Sequence, residues 1–151
     1  MHLLFVCTGN TCRSPMAESI ARRLIAERAI DDVQVSSAGT SAWPDSAASD
    51  GALLVAMEHG SDLSEHRARQ LSPEIVAAAD LILAMGPHHL ERAEALGGSG
   101  RTHLLTAFAG GAGRPVSDPF GGDLEVYRGT YSELERAIAA ILDKVTQQRT
   151  G

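Results

Sequence analysis

Leu3-Leu4-Phe5-Val6-Cys7-Thr8-Gly9-Asn10-Thr11-Cys12-Arg13-Ser14-Pro15 is the stretch that decides how this chain folds. An apolar run of strand character ends at Cys7, a short polar loop follows, and a helical pattern starts at Ser14-Pro15. A strand feeding a helix through so short a loop aims successive backbone N–H groups inward. The helix N-terminus adds about half a positive charge at the same point. The result is an anion site suited to a phosphate-like dianion, with Thr8, Gly9, Asn10, Thr11, Cys12, Arg13 and Ser14 as its binding residues. Cys7 stands in it as a nucleophile, and the field and hydrogen bonds there should pull its thiol toward thiolate, the attacking species. Arg13 offers a planar fork for two non-bridging oxygens.

Working outward, Met16, Ile20 and Leu24 recur at four-residue steps, as do Ala17, Ala21 and Ile25, with Glu18, Arg22, Arg23 and Glu27 on the other face. This predicts an amphipathic helix with Ser14 as its cap and Pro15 in its first turn. Val33-Gln34-Val35 alternates as a short strand ending at Ser36-Ser37-Ala38-Gly39, and Thr40 to Asp50 reads as loop. Helical periodicity returns from Ala52 to Glu58 and stops at Gly60. Another short helix starts near Ser72-Pro73, with Glu74 in its first turn. Leu81-Ile82-Leu83-Ala84-Met85 reads as a strand buried on both faces. Pro87 to Leu96 is helical, ended by Gly97-Gly98-Ser99-Gly100, and Thr102-His103-Leu104-Leu105 is the last candidate strand. A Gly-rich loop from Gly110 leads to Asp118-Pro119-Phe120-Gly121-Gly122. In the final helix, Tyr127, Tyr131, Leu134, Ile138, Ile141 or Leu142, and Val145 keep the three-four rhythm; Gln147 to Gly151 should fray.

Strands alternating with helices imply a three-layer α/β/α sandwich around a central four-stranded parallel sheet, with the phosphate-binding loop after the first strand. In such sheets ligands bind beyond the carboxyl ends of the strands, which is where Cys7 falls. At 151 residues and 44% apolar content the chain is expected to be one domain with a full core, needing no disulfide staples. A formal charge of −6 with 4% aromatics speaks against a nucleic-acid surface, so anion recognition must be local. No apolar run approaches a membrane span, and the N-terminus lacks the pattern of a secretion signal. With two cysteines in one loop and no disulfide framework, the expected location is cytoplasmic.

Cys7 could be a small buried strand residue, as most free cysteines are, but Arg13, the Thr8-Gly9-Asn10 loop and the Ser14-Pro15 helix start would then coincide by accident. Asn10 serves the loop by adopting a left-handed conformation or by holding its geometry with the amide. Ser14 caps the helix, a role compatible with donating to the Cys7 sulfur. Cys12 is either a packed small residue or the partner of Cys7 in a reversible disulfide, for which the two Cα atoms must lie within about 7 Å. His88-His89 are adjacent, so on a helix they should diverge, and no His and carboxylate spacing suggests a metal.

The chain resembles the low-molecular-weight protein phosphatases of the tyrosine-phosphatase superfamily nearly end to end. The resemblance runs through Phe5-Val6-Cys7 to Pro15-Met16-Ala17-Glu18, Ser37-Ala38-Gly39, Glu65-His66-Arg67-Ala68-Arg69, Ala79-Asp80-Leu81-Ile82-Leu83-Ala84-Met85 and Asp118-Pro119-Phe120-Gly121-Gly122. It implies Cys7 as nucleophile, Arg13 as clamp on the phosphoryl oxygens and Asp118 as general acid. Asn10, Ser14, Ser37 and His66 match the family's supporting hydrogen-bond network. Trp43-Pro44-Asp45 spells the acid loop of the larger tyrosine phosphatases, but there it precedes the cysteine, so Asp45 is a decoy. Trp43 matches an aromatic wall residue of some members.

The implied reaction has two steps through a cysteinyl phosphate and needs no cofactor, with phosphorylated proteins as substrates and inorganic phosphate as product. Position 11 bears on the substrate. Thr11 resembles the bacterial arginine-phosphatase branch, where the tyrosine-directed branch has a larger aliphatic residue, and Asp118 to Gly122, including Phe120, with Tyr127 resemble the same branch. Phosphoarginine is therefore favoured, with phosphotyrosine the alternative because Trp43 departs from that branch. An arsenate reductase of this fold would need further cysteines, and none follows Cys12. A phosphoprotein-binding module would be expected to lack the nucleophile or the acid, and both are present.

Overall fold

The computed structural model describes residues 1–150, with side chains through Gln147. Four strands, β1 (His2–Cys7), β2 (Gln34–Gly39), β3 (Leu81–Ala84) and β4 (Thr102–Leu104), form one sheet in the order β2-β1-β3-β4. Every pairing is parallel, with Cys7 opposite Gly39 and Val6 opposite Ala84. The helices are α1 (Arg13–Glu27), α2 (Asp50–Glu58), α3 (Pro73–Ala78), α4 (Pro87–Ala93), α5 (Leu105–Phe108) and α6 (Leu124–Thr150). They cover the sheet on both faces, as the alternation of elements predicts.

Period-two alternation in β1 divides the core. Leu3, Phe5 and Cys7 pack with α1, α2 and α6 residues such as Met16, Ile20, Val55 and Leu134, whereas Leu4 and Val6 pack with Val76 and Ala93 beneath α3 and α4. From β1 the chain passes to β2 on one side, and later to β3 on the other. The strand order therefore reverses between β1 and β3, and the loops leaving these two strands open the crevice of the sheet.

Several boundaries move. β2 runs on through Ser36-Ser37-Ala38-Gly39, which the sequence reading placed at its end. The last strand stops at Leu104, and the unanticipated short α5 begins at Leu105. α4 ends at Ala93 and continues as a wider turn, Glu94–Gly98, in which Gly97 takes φ +110°, a conformation that favours glycine. α6 continues to Thr150 rather than fraying from Gln147; Gly151 lies outside the described residues. Tyr131, Leu134, Ile138, Ile141, Leu142 and Val145 are all buried along it, the stripe read from the sequence. Among the described residues no helix is long and apolar enough to cross a membrane.

The start of α1 corrects a local expectation. Ser14 is not the cap: the helix begins at Arg13, Cys12 is the capping position, and no side chain caps the end. The Ser14 hydroxyl is already engaged with Cys7 and Asn10, so the loop takes the group that the helix end would have used. Glu18 also departs from its expected solvent face. It is 9% exposed, accepts from the Ser37 hydroxyl at 2.6 Å and pairs with Arg22.

Candidate active site

Cys7 closes β1, and its sulfur lies 2.8 Å from the Ser14 hydroxyl. Asn10 adopts φ +58°, the left-handed conformation anticipated for it, and is fully buried. Its Nδ2 donates to Ser14 Oγ at 2.8 Å and to Ser37 Oγ at 2.9 Å, while its Oδ1 accepts from the Arg69 backbone N–H at 2.9 Å. Because Ser14 accepts from Asn10, its own proton is free to point at the sulfur. His66 Nε2 donates to the Asn10 carbonyl at 2.6 Å. The expected network residues Asn10, Ser14, Ser37 and His66 therefore meet in one hydrogen-bonded set, which Glu18 and Arg69 extend.

Gly39 lets this set close. A Cβ there would stand 2.4 Å from the Thr8 carbonyl oxygen, and the Ser41 N–H, two residues on, donates to that oxygen at 2.9 Å. The end of β2 and the residues just after it thus brace the loop through backbone as well as through the Ser37 side chain.

Arg13 is almost wholly covered, yet its guanidinium reaches the loop. Nη1 donates to the Val116 carbonyl at 3.0 Å, and Nη2 lies 3.5 Å from Thr8 Oγ1 and 3.6 Å from Asp118 Oδ2. The Asp118 carboxylate is 53% exposed and accepts from the Phe120 N–H at 3.1 Å, while Gly121 at φ +80° turns the loop. A cavity of about 250 Å³ lies between these parts. Cys7, Thr8, Gly9, Thr11, Cys12 and Arg13 line one side of it, and Asp118 and Phe120 complete it.

The thiol does not simply drop to thiolate as the sequence reading expected. Burial acts most strongly and pushes the Cys7 thiol up; the Ser14 hydroxyl, the Ser14 and Asn10 backbone N–H groups and the Arg13 charge pull it down, and the net direction is upward. The donors were legible in the motif; the depth of the sulfur, 2% exposed, was not. Desolvation of a charge accounts for the difference.

Other residues fall where the motif alone could not put them. Cys12 Sγ lies 3.3 Å from both Ser49 Oγ and Tyr127 OH, so the second thiol is held by α2's cap and by α6. Trp43 is 81% exposed and not among the residues lining the cavity, whereas Phe120, 76% exposed, is. Asp45 sits at φ +69° in its loop, tied by its N–H to the Ala68 carbonyl, and does not line the cavity. His88 and His89 do not diverge: their ring centroids are 4.0 Å apart, and His89 turns inward to place Nε2 2.8 Å from Thr8 Oγ1. Sequence reasoning missed His89; its place just past the carboxyl end of a buried strand was the available signal.

A parallel sheet with a cysteine and an arginine bracketing the loop at its switch point, faced by an aspartate, fits a class of phosphoryl-transfer enzyme. The low molecular weight phosphotyrosine protein phosphatase family matches residues 2–150, and this chain belongs to that family. It is a cysteine-dependent low-molecular-weight protein phosphatase acting on phosphorylated proteins. Among its relatives, a protein-arginine-phosphatase of Bacillus subtilis (strain 168) is 37% identical over 99% of both chains. The low molecular weight protein-tyrosine phosphatase A of Mycobacterium tuberculosis (strain ATCC 25618 / H37Rv) is 36% identical over 98% of this chain and 93% of its own. The structure of a YwlE arginine phosphatase mutant with a phosphorylated active site serine superposes with a TM-score of 0.92, at 36% identity and 99% coverage of each chain.

Proposed function

We propose that Cys7, Arg13 and Asp118 carry the reaction and that phosphoarginine in proteins is its substrate. The observation that carries the assignment is one cavity bounded by the Cys7 sulfur, the Arg13 fork and the Asp118 carboxylate. In the first step Cys7 sulfur, as thiolate, attacks phosphorus while the bond to the leaving group breaks, and Asp118 supplies a proton to the departing atom. For phosphoarginine that bond is P–N; for phosphotyrosine it is P–O. In the second step water attacks the cysteinyl phosphate, Asp118 takes a proton from it, and inorganic phosphate leaves with the Cys7 thiolate restored.

Backbone N–H groups of the loop from Thr8 to Ser14 and the Arg13 guanidinium hold the equatorial oxygens through both transfers. An entering dianion meets an Arg13 that is now beside Asp118, and it takes over that pairing with a bidentate geometry. Asn10, Ser37 and His66 shape the loop from behind, and Ser14 holds the attacking sulfur.

Thr11 and Phe120 both line the cavity, and a threonine hydroxyl suits the polar guanidinium of phosphoarginine better than an aliphatic side chain would. A buried polar match separates two substrates more strongly than a methylene does. The Bacillus relative, named for arginine, supports the same reading, while the Mycobacterium relative is named for tyrosine. Two free thiols suit a reducing, cytoplasmic setting. The test is one side-by-side assay on phosphoarginine and phosphotyrosine peptides, with wild type and Thr11→Ile. Preference for phosphoarginine in the wild type, moving toward phosphotyrosine in the variant, supports the assignment. An unmoved preference removes Thr11 as the selector, and a wild type that prefers phosphotyrosine overturns the substrate.

A further inference from the structure

His89 takes no part in the chemistry above, yet it is a fully buried polar side chain beside the loop. It belongs to α4, the helix after β3, so the topology brings it to the same end of the sheet as the loop after β1. Its Nε2 lies 2.8 Å from Thr8 Oγ1, the oxygen that Arg13 Nη2 approaches at 3.5 Å. Its Nδ1 is buried and, among the described residues, has no hydrogen-bond partner. A residue whose task was only to fill this space would be apolar, because an imidazole here leaves one nitrogen desolvated and unsatisfied.

The ring is neutral at neutral pH. Burial acts first, and the nearby His88 and Arg13 charges add to it, lowering its pKa to about 4 against the upward pull of Asp118. A neutral ring has one N–H, and the surroundings choose its place. With the proton on Nδ1, Thr8 would donate to Nε2 and a buried N–H would have no acceptor. With the proton on Nε2, the orphan is a bare acceptor, which folded proteins tolerate better. In that arrangement Thr8 Oγ1 accepts from both His89 and Arg13, so its lone pairs are used and its own proton is free. Thr8 lines the cavity, and the cavity is where that proton can find an acceptor.

We propose that His89 is a positioning residue for phosphoryl transfer: it donates Nε2–H to Thr8 Oγ1 and thereby turns the Thr8 hydroxyl proton toward a phosphoryl oxygen in the cavity. The role rests on the reading of that cavity as the phosphoryl site. It also explains why the oxygen that Arg13 rests against is fixed from behind by a second, separate element.

The test combines nitrogen-15 NMR of the His89 ring in the full chain at neutral pH with kinetics on an aryl phosphate. We expect a protonated Nε2 and an unprotonated Nδ1; a proton on Nδ1 overturns the role. His89→Leu should lower kcat/KM about three- to tenfold, the worth of one neutral hydrogen bond, while His89→Gln, which keeps an amide donor near the same oxygen, should recover most of it. In a Thr8→Val background, His89→Leu should cost nothing further. Equal losses in the Leu and Gln variants, or losses that add to that of Thr8→Val, contradict the proposal. If His89→Leu does not fold, the ring proton and the Gln variant decide. A wild type inactive on aryl phosphate removes the proposed function and this role together, whereas an active wild type with its ring proton on Nδ1 removes this role alone.

Discussion

Ser14 is placed to tune the nucleophile, and its effect has a definite sign. Its hydroxyl leads the contacts that lower the Cys7 thiol, and it stabilises the charged form only. In Ser14→Ala the thiol titrates higher, and less thiolate is present at any given pH. We expect iodoacetamide alkylation, followed in a Cys12→Ser background, to need a higher pH than with Ser14 in place, because a hydrogen bond to the charged form has been lost. An unchanged alkylation profile would mean that Ser14 does not hold the sulfur. At the acid position, Asp118→Ala should slow aryl phosphate turnover far more than Asp45→Ala, because only Asp118 lines the cavity with Arg13. Equal effects would sink the assignment. His89 adds a stability effect: its folded pKa of about 4 lies below its ordinary value, so the unfolded chain binds a proton that the folded chain refuses. Stability contributed by the neutral ring is present above about pH 6.5 and is lost as pH falls toward 4, so the acid limb of a denaturation series should flatten in His89→Gln. The motif made Cys7, Arg13, Asn10 and Ser14 legible, because their spacing is local. It could not show how deeply Cys7 lies, nor that Glu18 would be drawn under the sheet edge by Ser37, since both depend on what packs over them.

The elements position these residues by backbone approach and by packing, and each can be tested separately. Gly39→Ala would drive a Cβ to within 2.4 Å of the Thr8 carbonyl oxygen and 3.0 Å of the Asn10 nitrogen, both of them backbone atoms that cannot swing away. The loop must shift, and a misplacement of that size costs on the order of a hundredfold in kcat/KM. Wild-type activity in Gly39→Ala would show that the loop tolerates displacement. Leu134→Ala, in the stripe of α6 far from any reacting atom, should lower unfolding stability by about 2–5 kcal/mol while kcat per folded molecule stays as it was. Periodicity made α6 legible from sequence, a continuous apolar run made β3 legible, and the Ser72-Pro73-Glu74 start signal made α3 legible. Less was readable where the chain turns without periodicity, as at the short α5 and the wide turn after α4, because neighbouring packing rather than local pattern sets those ends.

Across the whole molecule, the strand order puts the proposed catalytic and supporting groups, from distant parts of the sequence, at one end of the sheet. Cys7 comes from the end of β1 and Arg13 from the start of α1, His89 from the helix after β3, Ser37 from β2 and Asp118 from the loop before α6. With a net charge of −6, the proposed anion binding rests on short-range contacts, from backbone N–H groups of the loop and the buried Arg13. The alternation of strands and helices made the sheet legible, and the resemblance pointed to Asp118, but no periodicity could have brought His89 to Thr8. Central to the account is a phosphoryl group passing through the Cys7 sulfur. The most direct measurement is mass spectrometry of rapidly quenched enzyme, comparing wild type with Cys7→Ser during turnover of a phosphorylated peptide. One phosphoryl group on Cys7 in the wild type, together with loss of peptide turnover in Cys7→Ser, is the predicted result; turnover that survives in Cys7→Ser, or a phosphoryl group found on another residue, would contradict it.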